Sequence, residues 1–241
     1  MLPDAPIGER LPEWYRQRRK AVEAVFQQSA VPPHQPADFS SASPSRTYLL
    51  EVTTIGTGPK TWDYSRGTIS RVDDRKVIAD IQRNFGHFPF AWALQGGKEY
   101  LICGEDYQGH SVVDLGEEVT YVFVHDGAEK GLGFCWRKIR PSPNGMRLLV
   151  EGCYWASDYE WRVYDFTTPT RGPSPVIAYL SFLHGNPYDE ASGPQDARWL
   201  DDDRIQLDGK DLLDLQVEGL TLAGPELAKR YPNLKRLFAE P

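Results

Sequence analysis

From Arg46 to about Gly219, short runs rich in Val, Ile, Tyr, Phe and Trp are broken by Gly, Pro, Asp and Asn. Apolar and β-branched runs of this length, bounded by turn formers, predict strands. They fall at 48–55, 67–72, 76–81, 90–94, 99–103, 111–115, 120–124, 134–139, 147–152, 161–166, 176–182, 197–200, 204–207 and 212–217. Four of the breaks carry hairpin chemistry: Asp73-Asp74, Gly96-Gly97, Pro143-Asn144-Gly145 and Asp208-Gly209. Helical spacing is confined to the ends. Leu11, Trp14, Tyr15, Ala21, Val22, Val25 and Phe26 fall at mixed three- and four-residue steps, which predicts a helix over 11–28 with Pro12 in its first turn. Pro32, Pro33 and Pro36, then Ser-rich sequence to Ser45, predict a linker or an extended arm. Pro225 opens a short helical segment that Pro232 interrupts before 234–238. The chain therefore divides into an N-terminal helix and linker (1–43), a β-repeat domain (44–220) and a C-terminal helical tail (221–241).

The β region repeats itself weakly. One unit runs through Phe90, Ala91 and Trp92, a Gly-Gly turn, Tyr100 to Cys103, then Val112, Val113, Asp114 and Leu115. A second has Phe134, Cys135 and Trp136, a Pro-Asn-Gly turn, Leu148 to Val150, then Val163, Tyr164, Asp165 and Phe166. A third begins at Ala197, Arg198 and Trp199, turns on three aspartates and continues through Arg204 to Leu207. Trp92 and Trp136 are 44 residues apart, and Trp136 and Trp199 are 63 apart around a proline-rich insertion. A strand, a polar turn, a second strand and a third ending in apolar-x-Asp-apolar resembles a blade of a WD-like β-propeller, whose repeat is about 40–45 residues. The resemblance implies four units of mainly antiparallel hairpins. The sequence departs from the family in lacking its Gly-His signature and in placing Val-Asp and Tyr-Asp where Trp-Asp is usual. Four blades is also the lower limit for a closed ring, so a β-sandwich built from the same hairpins stands as the alternative. The 134–166 stretch is also similar to sequences of uncharacterised bacterial proteins, a likeness that implies no activity.

Hydrophobic residues at 40% and charged residues at 25% belong to a folded chain, with 12% aromatics. The net charge is −7. The basic run Arg16, Arg18, Arg19 and Lys20 is offset by Glu9, Glu13 and Glu23 and reads as a solvated helix side. Nucleic acid is therefore not an expected partner. No stretch approaches 18 consecutive apolar residues, so no membrane span is expected. An odd count of three cysteines (Cys103, Cys135, Cys153), with no apolar leader, predicts reduced thiols and a cytoplasmic location. Between 186 and 218, ten acids stand against three bases, which equals the whole net charge. That stretch is either a steering surface for a basic partner or plain solubilising charge.

Signatures of chemistry are sparse. The five histidines form no metal-binding pair, and the calcium-loop spacing is missing. Gly56 to Gly58 and Gly131 to Gly133 lack the spacing and the following helix that a phosphate needs, so neither metal nor cofactor is predicted. No nucleophile elbow occurs. The best cluster is the inter-strand loop with Glu105, Asp106, Tyr107 and His110. Its counterpart in the next unit carries Tyr154, Trp155 and Asp158 and runs on to Trp161. Both loops join second and third strands, so they should crowd one edge of the domain and form a recognition surface. The leading expectation is non-catalytic binding of a protein in a toxin-neutralising (immunity-like) or scaffolding role. Tyr107, Tyr154, Trp155, Asp158, Trp161 and the acidic triplet Asp201, Asp202, Asp203 would make the contacts. The alternative is a hydrolase or carbohydrate-binding protein, with Glu105 and Asp106 as acid and base beside His110 and aromatic rings stacking on sugar. A third expectation is self-association through the 11–28 helix.

Overall fold

The computed structural model describes residues 11–28, 37–104, 109–124, 128–130, 133–154, 158–172, 176–180, 196–209 and 211–215. Four antiparallel meander sheets follow one another along the chain. Sheet A holds β1 (Phe39–Ala42), β2 (Tyr48–Ile55), β3 (Tyr64–Arg71) and β4 (Val77–Arg83). Sheet B holds β5 (Phe90–Gln95), β6 (Lys98–Gly104), β7 (Gly109–Asp114) and β8 (Val119–Val124). Sheet C holds β9 (Cys135–Pro141), β10 (Arg147–Cys153), β11 (Glu160–Asp165) and β12 (Val176–Tyr179). Sheet D holds β13 (Ala197–Trp199), β14 (Arg204–Leu207) and β15 (Asp211–Asp214). One helix, α1 (Glu13–Gln28), precedes them. The predicted C-terminal helix lies outside the described residues.

The sheets stack face to face in chain order, and one apolar cluster fills each junction. Leu50, Val52, Ile69, Ala79 and Ile81 of sheet A meet Leu101, Cys103, Val113 and Leu115 of sheet B. Tyr100, Ile102 and Val112 turn the other way, onto Trp136, Ile139, Leu148 and Tyr164 of sheet C. Leu149, Trp161 and Val163 then face Ala197, Ile205 and Leu207 of sheet D. Because side chains alternate along a strand, a sheet covered on both faces needs continuous apolar runs. All six residues of β7 are buried, and so are the last five of β6. In the terminal sheets β3 and β14 alternate buried with half-exposed or exposed positions, as strands covered on one face do. Among the described residues, no apolar cluster joins sheet D back to sheet A. The arrangement is a propeller-like arc of blades, not the two-sheet sandwich held as the alternative.

First strands neighbour first strands. The Phe39 and Phe90 rings lie 5.6 Å apart. Trp92 Nε1 donates to Ser41 Oγ at 3.0 Å, and Trp199 Nε1 donates to the Arg140 carbonyl at 2.8 Å. The sequence repeat is a structural one. The residue after each third strand donates its amide to the residue just before its second strand begins, or to that strand's first residues: Val72 to Thr47, Leu115 to Glu99, Phe166 to Met146 and Leu215 to Asp203. Asp114 and Asp165 cap this corner, accepting from the amides of Glu117 (3.1 Å) and Thr167 (2.8 Å). Trp92 pairs with Leu101 and Trp199 with Ile205, each two residues past the closing carbonyl. Trp136 pairs instead with Gly152, six residues past Met146. It is therefore not their counterpart, although it opens a similar sequence run.

In such meanders the turns alternate between two edges. The ends of β2, β6 and β10, the starts of β3, β7 and β11, and the strand ends at which one sheet gives way to the next lie at one edge, called upper here. The β1–β2, β3–β4, β5–β6, β7–β8, β9–β10 and β13–β14 turns lie at the lower edge. Gly96 and Gly97 both have positive φ (55° and 80°), the geometry of a two-residue hairpin turn. Gly145 (φ 73°) lies against the Leu94 carbonyl, closer than a side chain there would allow.

Two expectations change. Residues 39–42, within the predicted linker or arm, form β1 and pair with β2 from Phe39↔Val52 to Ala42↔Leu49. The apolar side of α1 is not free for self-association. Val22 and Phe26 pack on Ile55 and Tyr64, and the fully buried Tyr15 sets its hydroxyl against Gly109.

Candidate functional site

Sheet C carries cations within an otherwise apolar texture, and they organise its upper edge. Arg162 of β11 is 5% exposed. Its guanidinium lies 3.6 Å from the centre of the Phe134 ring and 4.9 Å from that of Tyr154, and its Nε donates to Glu160 Oε1 at 2.6 Å. Burial works against that charge, yet Glu160, with Tyr164 and Tyr154, holds Arg162 above even the usual arginine range. The Tyr154 ring meets Phe134 edge-on at 5.6 Å and is left 41% exposed. Beside it Arg137 lies 4.6 Å from the centre of the Tyr159 ring, which is 53% exposed. Arg137 and Lys138 converge on the buried Glu151 at 3.5 and 3.0 Å. Burial pushes the nearby Cys153 thiol up, Glu151 and Glu160 adding to the effect against Arg137. The result is two exposed phenols held in place by cations from beneath, a preorganised contact surface of the type enriched at protein interfaces.

The wider edge shares this character. Among the described residues, the large hydrophobic side chains left exposed are Phe39, Trp62, Val72, Val77, Leu94, Met146, Tyr154, Tyr159 and Leu200. All four aromatics are at the upper edge and all five aliphatics at the lower.

The sequence-predicted residues separate. Tyr154 and the exposed Asp158 belong to the upper edge. Glu105, Asp106, Tyr107 and Trp155 lie outside the described residues. The strands that flank 105–108 end at Gly104 and resume at Gly109, on the same edge as Tyr154. Trp161 is 1% exposed and belongs to the junction of sheets C and D, with Lys138 and Arg140 over its ring at 5.7 and 5.0 Å. It is a core residue with no face for a ligand. His110 is 3% exposed and stacks between Trp136 (4.5 Å, 8°) and Phe123 (5.4 Å, 23°).

Asp201, Asp202 and Asp203 sit at the opposite, lower edge, and each is occupied. Asp201 accepts from Arg204 Nε at 2.6 Å, and that bond holds its carboxyl below the usual range. Asp202 accepts from the Asn144 amide at 2.7 Å, and Asp203 pairs with Arg147. Asp196 pairs with Arg140 at 2.9 Å. Asp196, Asp202 and Asp203 stitch sheet D to sheet C, while the Asp201 bond stays within sheet D. Sequence reasoning passed over Phe134, Arg137, Tyr159 and Arg162. The signal available was an arginine inside an apolar strand, which must bring its own partners.

Among the described residues no three His, Cys, Asp or Glu side chains are grouped to hold a metal. No helix among them is long and apolar enough to cross a membrane. The three cysteines form no disulfide, and Cys103 and Cys135 are buried.

The fold class is that of a mainly β, propeller-like protein of meander sheets with an N-terminal helix. No known family description matches the chain. An uncharacterised protein of Acanthamoeba polyphaga mimivirus is 28% identical over 198 residues, covering 77% of this chain and 76% of its own. That relative is viral, so the likeness to bacterial proteins gains no support from it. Solved structures similar to the chain include the periplasmic gluconolactonase of Pseudomonas aeruginosa (18% identity, TM-score 0.40, 70% of this chain and 50% of that one). Others are the β-propeller domain of Swd1 from Myceliophteria thermophila (13%, 0.36, 74% and 47%) and the hydrazine synthase of Kuenenia stuttgartiensis (12%, 0.29, 71% and 56%). The chain spans about half the length of these solved chains.

Proposed function

We propose that the protein is a non-catalytic binding module that docks a partner protein on its upper edge, in a scaffolding or neutralising role. The observation that carries this reading is the segregation of the exposed aromatics Phe39, Trp62, Tyr154 and Tyr159 to that edge. Aromatic anchors braced by arginine are the side chains that dominate binding energy at interfaces. The catalytic alternative needs His110 beside Glu105 and Asp106 to exchange a proton with a substrate. His110 is instead flanked by two rings within the core, which favours binding over catalysis.

The test is capture from the native host, followed by calorimetry with the purified partner. Replacing Tyr154 and Tyr159 together by Ser should weaken the complex by about 2 kcal/mol or more, while the circular dichroism of the folded β protein is retained despite the lost contacts to Phe134 and Arg162. Equal affinity of the double variant would remove this surface from the account.

A further inference from the structure

The lower edge has a feature that the upper-edge reading does not use. Between sheets A and B a cleft of about 500 Å³ is lined by Pro44, Tyr48, Leu94 and Leu115, by the acidic residues Glu99, Asp114 and Glu117, and by one base, Lys98. Its walls are largely apolar, and Leu94 stands 48% exposed at its rim. Its charges are unbalanced. Glu99 accepts from Ser45 N and Ser45 Oγ, both at 2.6 Å, and from Ser43 Oγ at 3.2 Å, all of them neutral donors. Asp114 is 3% exposed, and its Oδ1 accepts from the Glu117 amide, again a neutral donor. Among the described residues neither carboxylate has a cation within ion-pair distance. Glu117 faces Lys98 at 3.9 Å with both side chains mostly in solvent, so that pair supplies little compensation. The nearby cations Arg71 and Lys76 are directed to Glu118.

A buried carboxylate without a countercharge is costly unless a cation completes it. The surrounding field has the matching sign. Burial foremost, with help from the Glu118, Glu99 and Asp114 charges against Arg71, holds the Tyr48 hydroxyl above its usual range. Tyr100 is raised by burial and then by Asp114.

We infer that this cleft receives a basic side chain, arginine or lysine, from a partner polypeptide, its aliphatic stem lying along Leu94 and Leu115 and its charge meeting Asp114, Glu99 and Glu117. The inference rests on the reading of the protein as a binding module, but not on the upper edge. It also assigns the basic partner to a site other than the Asp201–Asp203 turn, whose carboxylates are already engaged.

The experiment is a titration of the full-length, ¹⁵N-labelled protein with the capped tripeptides acetyl-Gly-Arg-Gly-amide and acetyl-Gly-Lys-Gly-amide, and with the neutral citrulline analogue. A saturable shift of the amides of Gly97, Glu99, Leu115 and Gly116 is expected with the basic peptides and none with citrulline. Asp114→Asn keeps an acceptor for the Glu117 amide but removes the charge, and should weaken binding by about tenfold or more. Glu117→Gln, at an exposed position, tests the same point without touching the core. Tyr154→Ser should bind the peptides as the native protein does, so loss of the upper-edge partner and loss of this site are separable. Equal shifts with citrulline, no saturation at millimolar peptide, or undiminished binding by both charge variants would each overturn the inference.

Discussion

Trp199 reaches from its own sheet to the Arg140 carbonyl of the sheet before, and Trp92 reaches likewise to Ser41. Each indole gives up water to make one bond across a blade junction. Trp199→Phe keeps most of the ring and removes only that donor, leaving the Arg140 carbonyl without it. The expected loss is about 1–2 kcal/mol in urea unfolding. A variant as stable as the native protein would show the bond to be dispensable. Tyr48 and Tyr100, on opposite faces of sheet B, make a prediction in pH. Unfolded, Tyr48 and Tyr100 titrate near 10; folded, both hold their protons longer. Above pH of about 10 the native state therefore binds more protons than the unfolded one, and stability falls as pH rises through the folded values. Phenolate absorbance should show these two hydroxyls ionising late, and their replacement by Phe should flatten the alkaline decline.

At the scale of the element, α1 closes the upper end of sheets A and B. Removing residues 1–28 would uncover Ile55 and Tyr64 and withdraw Tyr15, Val22 and Phe26 from burial. Apolar burial of three such side chains, less the ordering of the helix, makes the expected loss about 2–4 kcal/mol, read by urea midpoint together with uptake of a hydrophobic dye. Light scattering should give the same number of subunits before and after, because the apolar side faces the molecule's own strands. The pattern of elements was largely legible. The 48–55 and 204–207 strands match residue for residue, and the explicit Gly-Gly and Asp-Gly turns fall where predicted. β1 was harder to read because Phe39, Ser40, Ser41 and Ala42 lack a strand's composition and owe their extended form to pairing with β2. The site was legible only in part. Tyr154 lies in a loop, where polar-aromatic sequence carries meaning. Trp161 looked equivalent to it, but strand alternation turns Trp161 into the junction with sheet D. His110 was likewise read by its chemistry, while its position in the all-buried β7 decides its role.

At the scale of the whole molecule, the apolar clusters of the described residues join neighbouring sheets only, as in repeat architectures, where stability is a sum over units and their interfaces. Sheets B and C are covered on both faces, and sheets A and D on one. Amide exchange should therefore be slowest in β6, β7 and β10 and fastest in β14, with β3 between. Uniform protection across all four sheets would contradict this neighbour-only packing. The alternation of turns between two edges has a further consequence, for how such a sequence can change in length. Each sheet's last strand ends at the upper edge and the next sheet's first strand starts there, whereas each lower-edge turn begins and ends within a single sheet. Residues added at a lower turn disturb the hairpin register of one blade, whereas the spacing from one sheet to the next, six residues from β4 to β5 and ten from β8 to β9, already varies. Lineages of this protein should therefore hold the lower turns nearly constant in length and accumulate insertions on the aromatic-bearing side, between one sheet and the next.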